Sequence, residues 1–459
     1  MLAGFPAEQR TVGAIFALTV ALWMTELIPL AVTALLSTCL LVIFTGTKEK
    51  AVFAAYGDPT IPLFIGSFML AKAMENSRLG DRLAYLILSR RWATRSPGAL
   101  LFALGGIACV FSLFVSNTAI TAMMLPVGLS MLAVLKVNDR GSPFAIAVML
   151  MLTWGSSVAV GVPVGTPPNL IAIGLLAEET GRRIGFLEWM AFGMPITVAM
   201  LIGCWVVLRL LYRRDPPDTR PATANASDSL RTMGSMTTPQ RNTLFAFCVA
   251  LFLWMAPDSL SALLGNEHPV AAWAVAHVPA SVAALIGAAL LFLLPADGSE
   301  RFTWKQAATI DWGTILLFAG GIALGQAMFE TGLAKSLGEM AAQASGARSV
   351  WAVTALCTAA AIILSELASN TASATTLVPV AIGLAEGAGV SPFAPALGVA
   401  LGASLGFMLP VSTAPNAIVY SSGLVPAREM MRAGILIDIV GFIVTMAGLM
   451  LVLPAMGLA

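Results

Sequence analysis

The sequence predicts an all-α polytopic membrane protein built as an inverted repeat, each half holding a re-entrant hairpin and a broken helix. Three observations lead there. Of the 459 residues, 58% are hydrophobic and 11% charged, with a mean hydropathy of +0.87, against roughly 25% charged in soluble domains. Apolar runs approaching the ~20 residues that cross a bilayer recur along the chain, as at 12–27, 30–45, 192–211, 244–255, 282–294 and 435–453. A transmembrane barrel would instead show ~10-residue alternating segments. Third, the polar tripeptide Ser116-Asn117-Thr118 returns as Ser369-Asn370-Thr371. Each copy is followed some fifty residues later by a Thr-x-Pro-Asn segment, Thr166-Pro167-Pro168-Asn169 and Thr413-Ala414-Pro415-Asn416.

The longest polar stretch, 213–240, separates a first repeat at 1–212 from a second at 241–459 and reads as a surface linker rich in Pro, Asp, Thr, Ser and Arg. The halves align by eye. Arg10 through Trp23-Met24 matches Arg241 through Trp254-Met255, and Gly66, Ala73-Met74 and Leu79 match Gly320, Ala327-Met328 and Leu333. Pro126 and Pro379 follow the two triplets at equal distance, and Pro163 and Pro410 precede the two Thr-x-Pro segments. Such a long period marks a duplication and not a solenoid.

Within each half the order is two membrane helices, a third helix, a hairpin, a broken helix and a final helix. The first half places these at 10–27, 29–46, 60–76, 98–135, 143–180 and 189–212. The second places them at 241–262, 279–295, 312–330, 349–387, 392–425 and 432–456. Apolar residues flank each triplet too closely for two full spans, so 98–135 and 349–387 are hairpins. Each half then crosses an odd number of times, and the halves have opposite topology. Positive charge agrees: this arrangement puts 17 of the 25 Lys and Arg residues, the linker's included, on one side and 7 on the other. The excess marks the cytoplasm. The first hairpin enters from that side and the second from outside.

Irregular backbone at membrane depth survives only buried in protein or lining a wet cavity. Pro163, Pro167 and Pro168 break one helix, and Pro410 and Pro415 the other. Freed carbonyls suit a hard cation, while freed N–H groups at the next helix start suit an anion. Hydroxyl and amide side chains in the triplets can donate to a carboxylate and ligate a cation with their oxygens. No Lys or Arg lies within about eighteen residues of either triplet or inside either proline segment. An anion held by neutral donors in a low-dielectric centre is poorly compensated, so co-bound cations would supply the charge and the two ligands would depend on each other. A single triplet could equally be a helix cap or an interhelical contact; two, each with its own partner segment, argue for one site built twice.

Glu366, three residues before the second triplet, reads equally as a functional ionisable group and as a brace of the hairpin. Glu26 and Asp438 are expected near helix ends in structural roles. Cys39, Cys109, Cys204, Cys248 and Cys357 are scattered singly through apolar segments and read as packing residues. His268 and His277 flank a polar-to-apolar boundary in a probable loop, which disfavours a histidine metal site or proton relay. No cleavable signal peptide is evident, and nothing resembles a nucleic-acid-binding stripe. An intramembrane enzyme would need a nucleophile–base or metal pair that the sequence does not offer. A channel suits broken helices and hairpins less well than an occluded central site does.

At these motifs the sequence resembles the divalent anion/sodium symporter family, which carries dicarboxylates, citrate or sulfate. The resemblance rests on Ser116-Asn117-Thr118 with Met123-Met124-Leu125-Pro126, on Gly165 to Asn169, on Ser365-Glu366 to Thr371, on Pro410 to Asn416, and on the opening Trp23-Met24-Thr25-Glu26-Leu27-Ile28-Pro29. It spans nearly the whole chain. It implies a homodimer in the cell membrane, in contact with lipid, with separate scaffold and transport domains moving as an elevator. It further implies two sodium sites, one of Ser112, Ser116, Asn117 and Gly165, the other of Ser365, Ala368, Asn370 and Ser412. Substrate carboxylates would meet Ser116, Asn117, Thr118, Thr166, Ser369, Asn370, Thr371 and Thr413. The function implied is sodium-coupled uptake of a small divalent anion such as succinate, malate or fumarate, with dicarboxylate exchange, or citrate or sulfate as the anion, as the alternatives. Family members usually carry an additional helix before the segment that begins here at Arg10; a chain lacking it is expected to start outside.

Overall fold

The computed structural model of the chain describes residues 5–214, 217–265, 267–296 and 301–458. Among these residues there are helices and no strands. The first half begins with α1 (Ala7–Thr25), α2 (Leu30–Thr45), α3 (Glu49–Phe53), α4 (Thr60–Ser77), α5 (Leu79–Leu88) and α6 (Arg91–Thr94). A hairpin follows, made of α7 (Pro97–Ser112) and α8 (Asn117–Val134). Next come α9 (Pro143–Ser157) and α10 (Pro167–Thr180) on either side of a break, then α11 (Phe186–Leu211). After α12 (Arg220–Thr232), the second half holds α13 (Thr238–Leu264), α14 (Pro269–His277), α15 (Ala280–Leu293), α16 (Trp304–Ala307), α17 (Trp312–Glu330) and α18 (Leu333–Ser345). Its hairpin is α19 (Val350–Leu367) and α20 (Asn370–Gly387), its broken pair α21 (Phe393–Ala403) and α22 (Ala414–Ser421), and its last helix α23 (Ala427–Val452). Six helices among the described residues are long and apolar enough to cross a membrane, and the chain is a multi-pass membrane protein.

Two packing groups result. In one, α4 lies on α15 and α2 on α17, and both contacts depend on a glycine. A Cβ on Gly66 would stand 2.7 Å from the Ala284 Cβ, and one on Gly320 would stand 2.7 Å from the Ala34 Cβ. These four positions occupy matching places in α4, α15, α17 and α2, so the same close approach is made twice. Phe64 and Phe318, matched in the same way, meet each other edge-on with ring centroids 5.2 Å apart. In the second group α7 packs on α9, α19 on α21 and α11 on α23. Both broken helices are therefore held by their own hairpins.

Several parts differ from expectation. The polar linker contains α12, which packs on α5 and α8. Its Ala222 and Ala226 are fully buried, the Thr219 hydroxyl donates to the Thr94 carbonyl at 2.6 Å, and Asn225 donates to Ser130 at 3.1 Å. The supposed loop between His268 and His277 is the helix α14, with His268 as its N-cap, bent 70° from α15. Both were hidden because short or polar helices lack the long apolar run that marks a span. Asp438 is not near a helix end. It stands mid-way along α23, 6% exposed, with its carboxyl group facing that of Glu366 and the Phe407 backbone.

The two glycine contacts generate a test. Gly66→Val or Gly320→Val must push helices apart, at a cost of about 1–3 kcal/mol, and should lower the thermal unfolding midpoint of the purified protein. Gly106→Ala, inside α7 where an added Cβ meets nothing within 4 Å, should leave it unchanged or raise it slightly. Equal midpoints for all three would remove the close-approach argument.

Candidate functional site

Each hairpin turns at its triplet, and each triplet starts a helix. Ser116 caps α8, its hydroxyl oxygen accepting from the Ala119 N–H at 3.3 Å. Ser369 caps α20 in the same manner, from Ala372 at 3.2 Å. The capping reading and the binding reading are therefore compatible: the cap uses an oxygen lone pair and leaves the hydroxyl proton free to donate outward. One residue on, the asparagine is fixed by a serine five positions upstream. Ser112 Oγ donates to Asn117 Oδ1 at 2.6 Å, and Ser365 Oγ donates to Asn370 Oδ1 at 2.8 Å. Each bond turns the amide so that Nδ2 points away from its serine, while Oδ1 keeps a second lone pair. The same two-residue device thus stands at both tips.

The breaks lie against these tips. A Cβ on Gly165 would collide with the Ala159 carbonyl and stand 3.4 Å from the Leu113 carbonyl at the first tip. One on Gly406 would stand 3.3 Å from the Ser365 carbonyl at the second. Glycine lets two carbonyl-bearing strands of backbone approach at each place. Ser365 Oγ also lies 2.6 Å from the Ala403 carbonyl, so its single proton is shared between that carbonyl and Asn370 Oδ1, and the Ser412 hydroxyl donates to the Leu409 carbonyl at 2.8 Å with the Gly406 carbonyl at 3.2 Å. Thr166 and Thr413 are the N-caps of α10 and α22, and the Thr166 hydroxyl faces that of Ser404 in the other break at 3.4 Å. Trp154 of α9 meets Phe407 edge-on at 5.8 Å. Four helix N-termini, of α8, α10, α20 and α22, therefore belong to one packed unit.

All the expected residues fall in that unit. Ser112, Asn117 and Gly165 with the capping Ser116 gather at the first tip, and Ser365, Ala368, Asn370 and Ser412 at the second. Surroundings differ: Ser116 and Thr118 are exposed and Asn117 half-buried, whereas Ser369, Asn370 and Thr371 are all half-buried. Thr166 is buried and Thr413 half-buried. Glu366 takes the bracing role. Its two carboxylate oxygens accept the N–H groups of Met408 at 2.8 Å and Leu409 at 3.1 Å, donors that the second break sets free.

The last asparagine of each Thr-x-Pro-Asn segment, Asn169 or Asn416, bridges its break. Asn169 Nδ2 donates to the carbonyls of Val162 at 2.9 Å and Val160 at 3.2 Å. Asn416 Nδ2 donates to those of Gly406 at 2.9 Å and Leu409 at 3.1 Å. The side-chain amides thus replace the helical bonds lost at each break. Asn416 Oδ1 in turn accepts from Thr153 Oγ1 at 2.8 Å. At the matching place in the second half stands Ala400, and Asn169 Oδ1 is buried with no donor among the described residues. The recurrence of asparagine at the same interval after each proline was the available signal.

A family model described as the sodium:sulfate symporter transmembrane region matches residues 2–454. The sodium-dependent dicarboxylate transporter SdcS of Staphylococcus saprophyticus is 31% identical over 474 residues, covering 99% of this chain and 89% of that protein. The SdcS of Staphylococcus aureus is 30% identical over 446 residues, covering 94% and 84%. Among solved structures, the YdaH transporter of Alcanivorax borkumensis matches with a TM-score of 0.62 at 15% identity, over 98% of this chain and 99% of that one. That match shows a shared fold.

The asparagine braces can be probed singly. Thr153→Val keeps the shape of the side chain but leaves Asn416 Oδ1 buried without its donor, at an expected cost of about 1–3 kcal/mol. Thermal unfolding should reveal the loss. An unchanged midpoint would mean that the Thr153 hydroxyl does not hold the second break.

Proposed function

The chain belongs to the sodium:sulfate symporter transmembrane family, and from that membership we propose that it takes up a small C4-dicarboxylate such as succinate, malate or fumarate together with sodium ions across the cell membrane. The observation that carries the proposal is the doubled tip: a serine-fixed asparagine beside a capping serine, at two hairpins packed on two broken helices. Staphylococcal relatives of nearly the same length are sodium-dependent dicarboxylate transporters by name, which favours a dicarboxylate over sulfate.

The chemistry is a division of labour between donors and acceptors. Two carboxylates of one substrate match two tips. The hydroxyls of Ser116, Thr118, Ser369 and Thr371 and the amides of Asn117 and Asn370 donate to them, with Thr166 and Thr413 at the break N-termini. Four helix N-termini add their partial positive charge. Sodium would take oxygen ligands: Ser112, Ser116, Asn117 and Gly165 at the first tip, and Ser365, Ala368, Asn370 and Ser412 at the second, partly through backbone carbonyls. The Asn Oδ1 lone pair not used by serine is available to the ion. With no lysine or arginine in these segments, the cations neutralise the dianion, so each ligand is bound poorly without the other. An excess of sodium charge makes the cycle sensitive to membrane potential, by about 2.3 kcal/mol per net charge per 100 mV.

Movement follows from the packing. The hairpins, broken helices, α11 and α23 form one group and the α2–α17 and α4–α15 pairs another, which suits a transport body sliding as an elevator on a scaffold. Large apolar side chains on the scaffold helices, including Phe252, Leu263 and Leu293, are exposed and suit contact with lipid or a second copy in a homodimer.

Uptake of labelled succinate into proteoliposomes tests the reading. An inward sodium gradient should drive accumulation, and removing sodium should abolish it. Uptake that ignores sodium and requires internal dicarboxylate would establish exchange instead. Asn117→Ala and Asn370→Ala should each reduce sodium-driven uptake by about tenfold or more, the value of a hydrogen bond to a charged group, with the protein still folded. Full activity in both would remove these residues from the site.

A further inference from the structure

Beside the first tip lies a cavity of about 340 Å³, walled by Val115 and Ala119 of the hairpin and by Glu75, Arg78, Asp81 and Tyr85 of the α4–α5 joint. Val115 and Ala119 flank the triplet, whose Ser116 and Thr118 are exposed, so this space lies beside the tip. It opens on the face that the basic residues assign to the cytoplasm.

Arg78 is held there against its backbone preference. It adopts φ +55°, in the left-handed region, which side chains other than glycine, asparagine and aspartate rarely occupy. The same joint in the second half, between α17 and α18, has Gly332 at φ +72°, the residue type that this conformation favours. Both joints close with the same backbone bond, Arg78 N to the Glu75 carbonyl and Gly332 N to the Phe329 carbonyl. Geometry alone would therefore be better served by glycine at 78, and what arginine adds there is its side chain. A comparison separates local from general causes. The exit of the first hairpin has Lys136 at φ +56° where the second has Gly389 at φ +69°. Lys136 is exposed and does not line the cavity, so the general preference for cytoplasmic cations accounts for it. Arg78 lines the cavity.

The neighbouring cations do not line the cavity. Arg82 is turned to Gln240 and to the carbonyls of Met233, Gly234 and Ser235, and Lys72 pairs with Glu75 at 3.1 Å. Among the described residues Arg78 has one partner, Asp81, which Nε reaches at 2.7 Å. The Arg78 side chain is 74% exposed and that of Asp81 13%, so the guanidinium keeps its outer N–H groups in water, where they can grip a second carboxylate while Asp81 stays bound.

We infer that Arg78 forms a second, transient anion subsite on the cytoplasmic side, where a dicarboxylate is received by the guanidinium on its passage between the cytoplasm and the first hairpin tip. This rests on the proposed dicarboxylate transport. It adds a cation on the path to a centre that has none of its own. Asp81 holds the guanidinium in position.

Side-specific transport provides the test, with succinate uptake by everted membrane vesicles reporting the cytoplasmic face and right-side-out vesicles the outer face. Arg78→Gly, which installs the residue found at 332, should fold at least as well as the parent and raise the cytoplasmic-face KM about threefold to tenfold, the range for an exposed charge-assisted contact. The outer-face KM should not move. Arg78→Lys should recover part of the loss, and Lys136→Gly should change neither constant. A cytoplasmic-face KM unchanged in Arg78→Gly would overturn the subsite. So would an equal rise in Lys136→Gly, which would assign the effect to surface charge in general. If the parent protein moves no succinate in either vesicle type, the transport reading fails and the subsite falls with it.

Discussion

Everything distinctive in this fold depends on keeping backbone polar groups satisfied where two helices stop inside the protein. A buried peptide group without a partner costs several kcal/mol in an apolar medium, so a helix cannot be interrupted there unless something replaces its hydrogen bonds. The replacement is largely local. Asn169 and Asn416, each three residues after the capping threonine, reach back to two carbonyls of the preceding break. Trp189 Nε1 adds a bond to the Val160 carbonyl at 2.9 Å, and Thr197 Oγ1 one to Val158 at 3.1 Å. Glu366 collects two N–H groups in the second half. Pro167 and Pro168 leave the first two positions of α10 without N–H groups, and the Asn169 N–H is spent on the Thr166 carbonyl at 3.2 Å, so what the first break can offer a ligand is carbonyl and hydroxyl oxygen.

The two halves solve this problem with different residues, which shows where the duplication constrains the chain and where it does not. The asparagine-to-carbonyl bonds and the serine-to-asparagine bonds at the tips recur. The support behind them diverges: Thr153 backs Asn416, while Ala400 stands at the matching place and Asn169 Oδ1 has no donor. Trp189 and Thr197 of α11 support the first break; the second relies on Glu366. Bonds that define the site are repeated, and bonds that merely hold it vary with the helices that surround it.

That division also explains what the sequence made legible. Hairpins, broken helices and the long spans followed from apolar length, proline position and the repeated triplets, because each is a local property of the chain. The serine-to-asparagine bonds did not follow from that pattern, because Ser112 and Ser365 lie outside the triplets and stood out only through the family resemblance. Short amphipathic helices were not readable as separate elements. The α5 and α18 segments lie against the membrane helices without an apolar run of their own, and α12 is polar enough to pass for linker until Ala222 and Ala226 are seen to be buried. Asp438 was misplaced for a related reason. A single acidic residue in an apolar stretch suggests a helix end, and only the path of α23 reveals that the carboxyl group lies mid-helix.

A motif carried twice cannot have identical surroundings twice in any one conformation if the site is to open to one side at a time. Here the first tip, at Ser116 and Thr118, is exposed beside the cavity, while the second tip is half-buried at all three triplet positions. Both tips have the same internal hydrogen bonds, so the difference lies in what packs against them and not in the tips themselves. Under the proposed transport, the opposite access state requires no new chemistry at the site. It requires the packing around the two tips to be exchanged, with Asn117 and Asn370 still fixed by their serines. The ligand-binding groups can then stay rigid throughout, and the moving surface is the boundary between the hairpin unit and the helices that flank it.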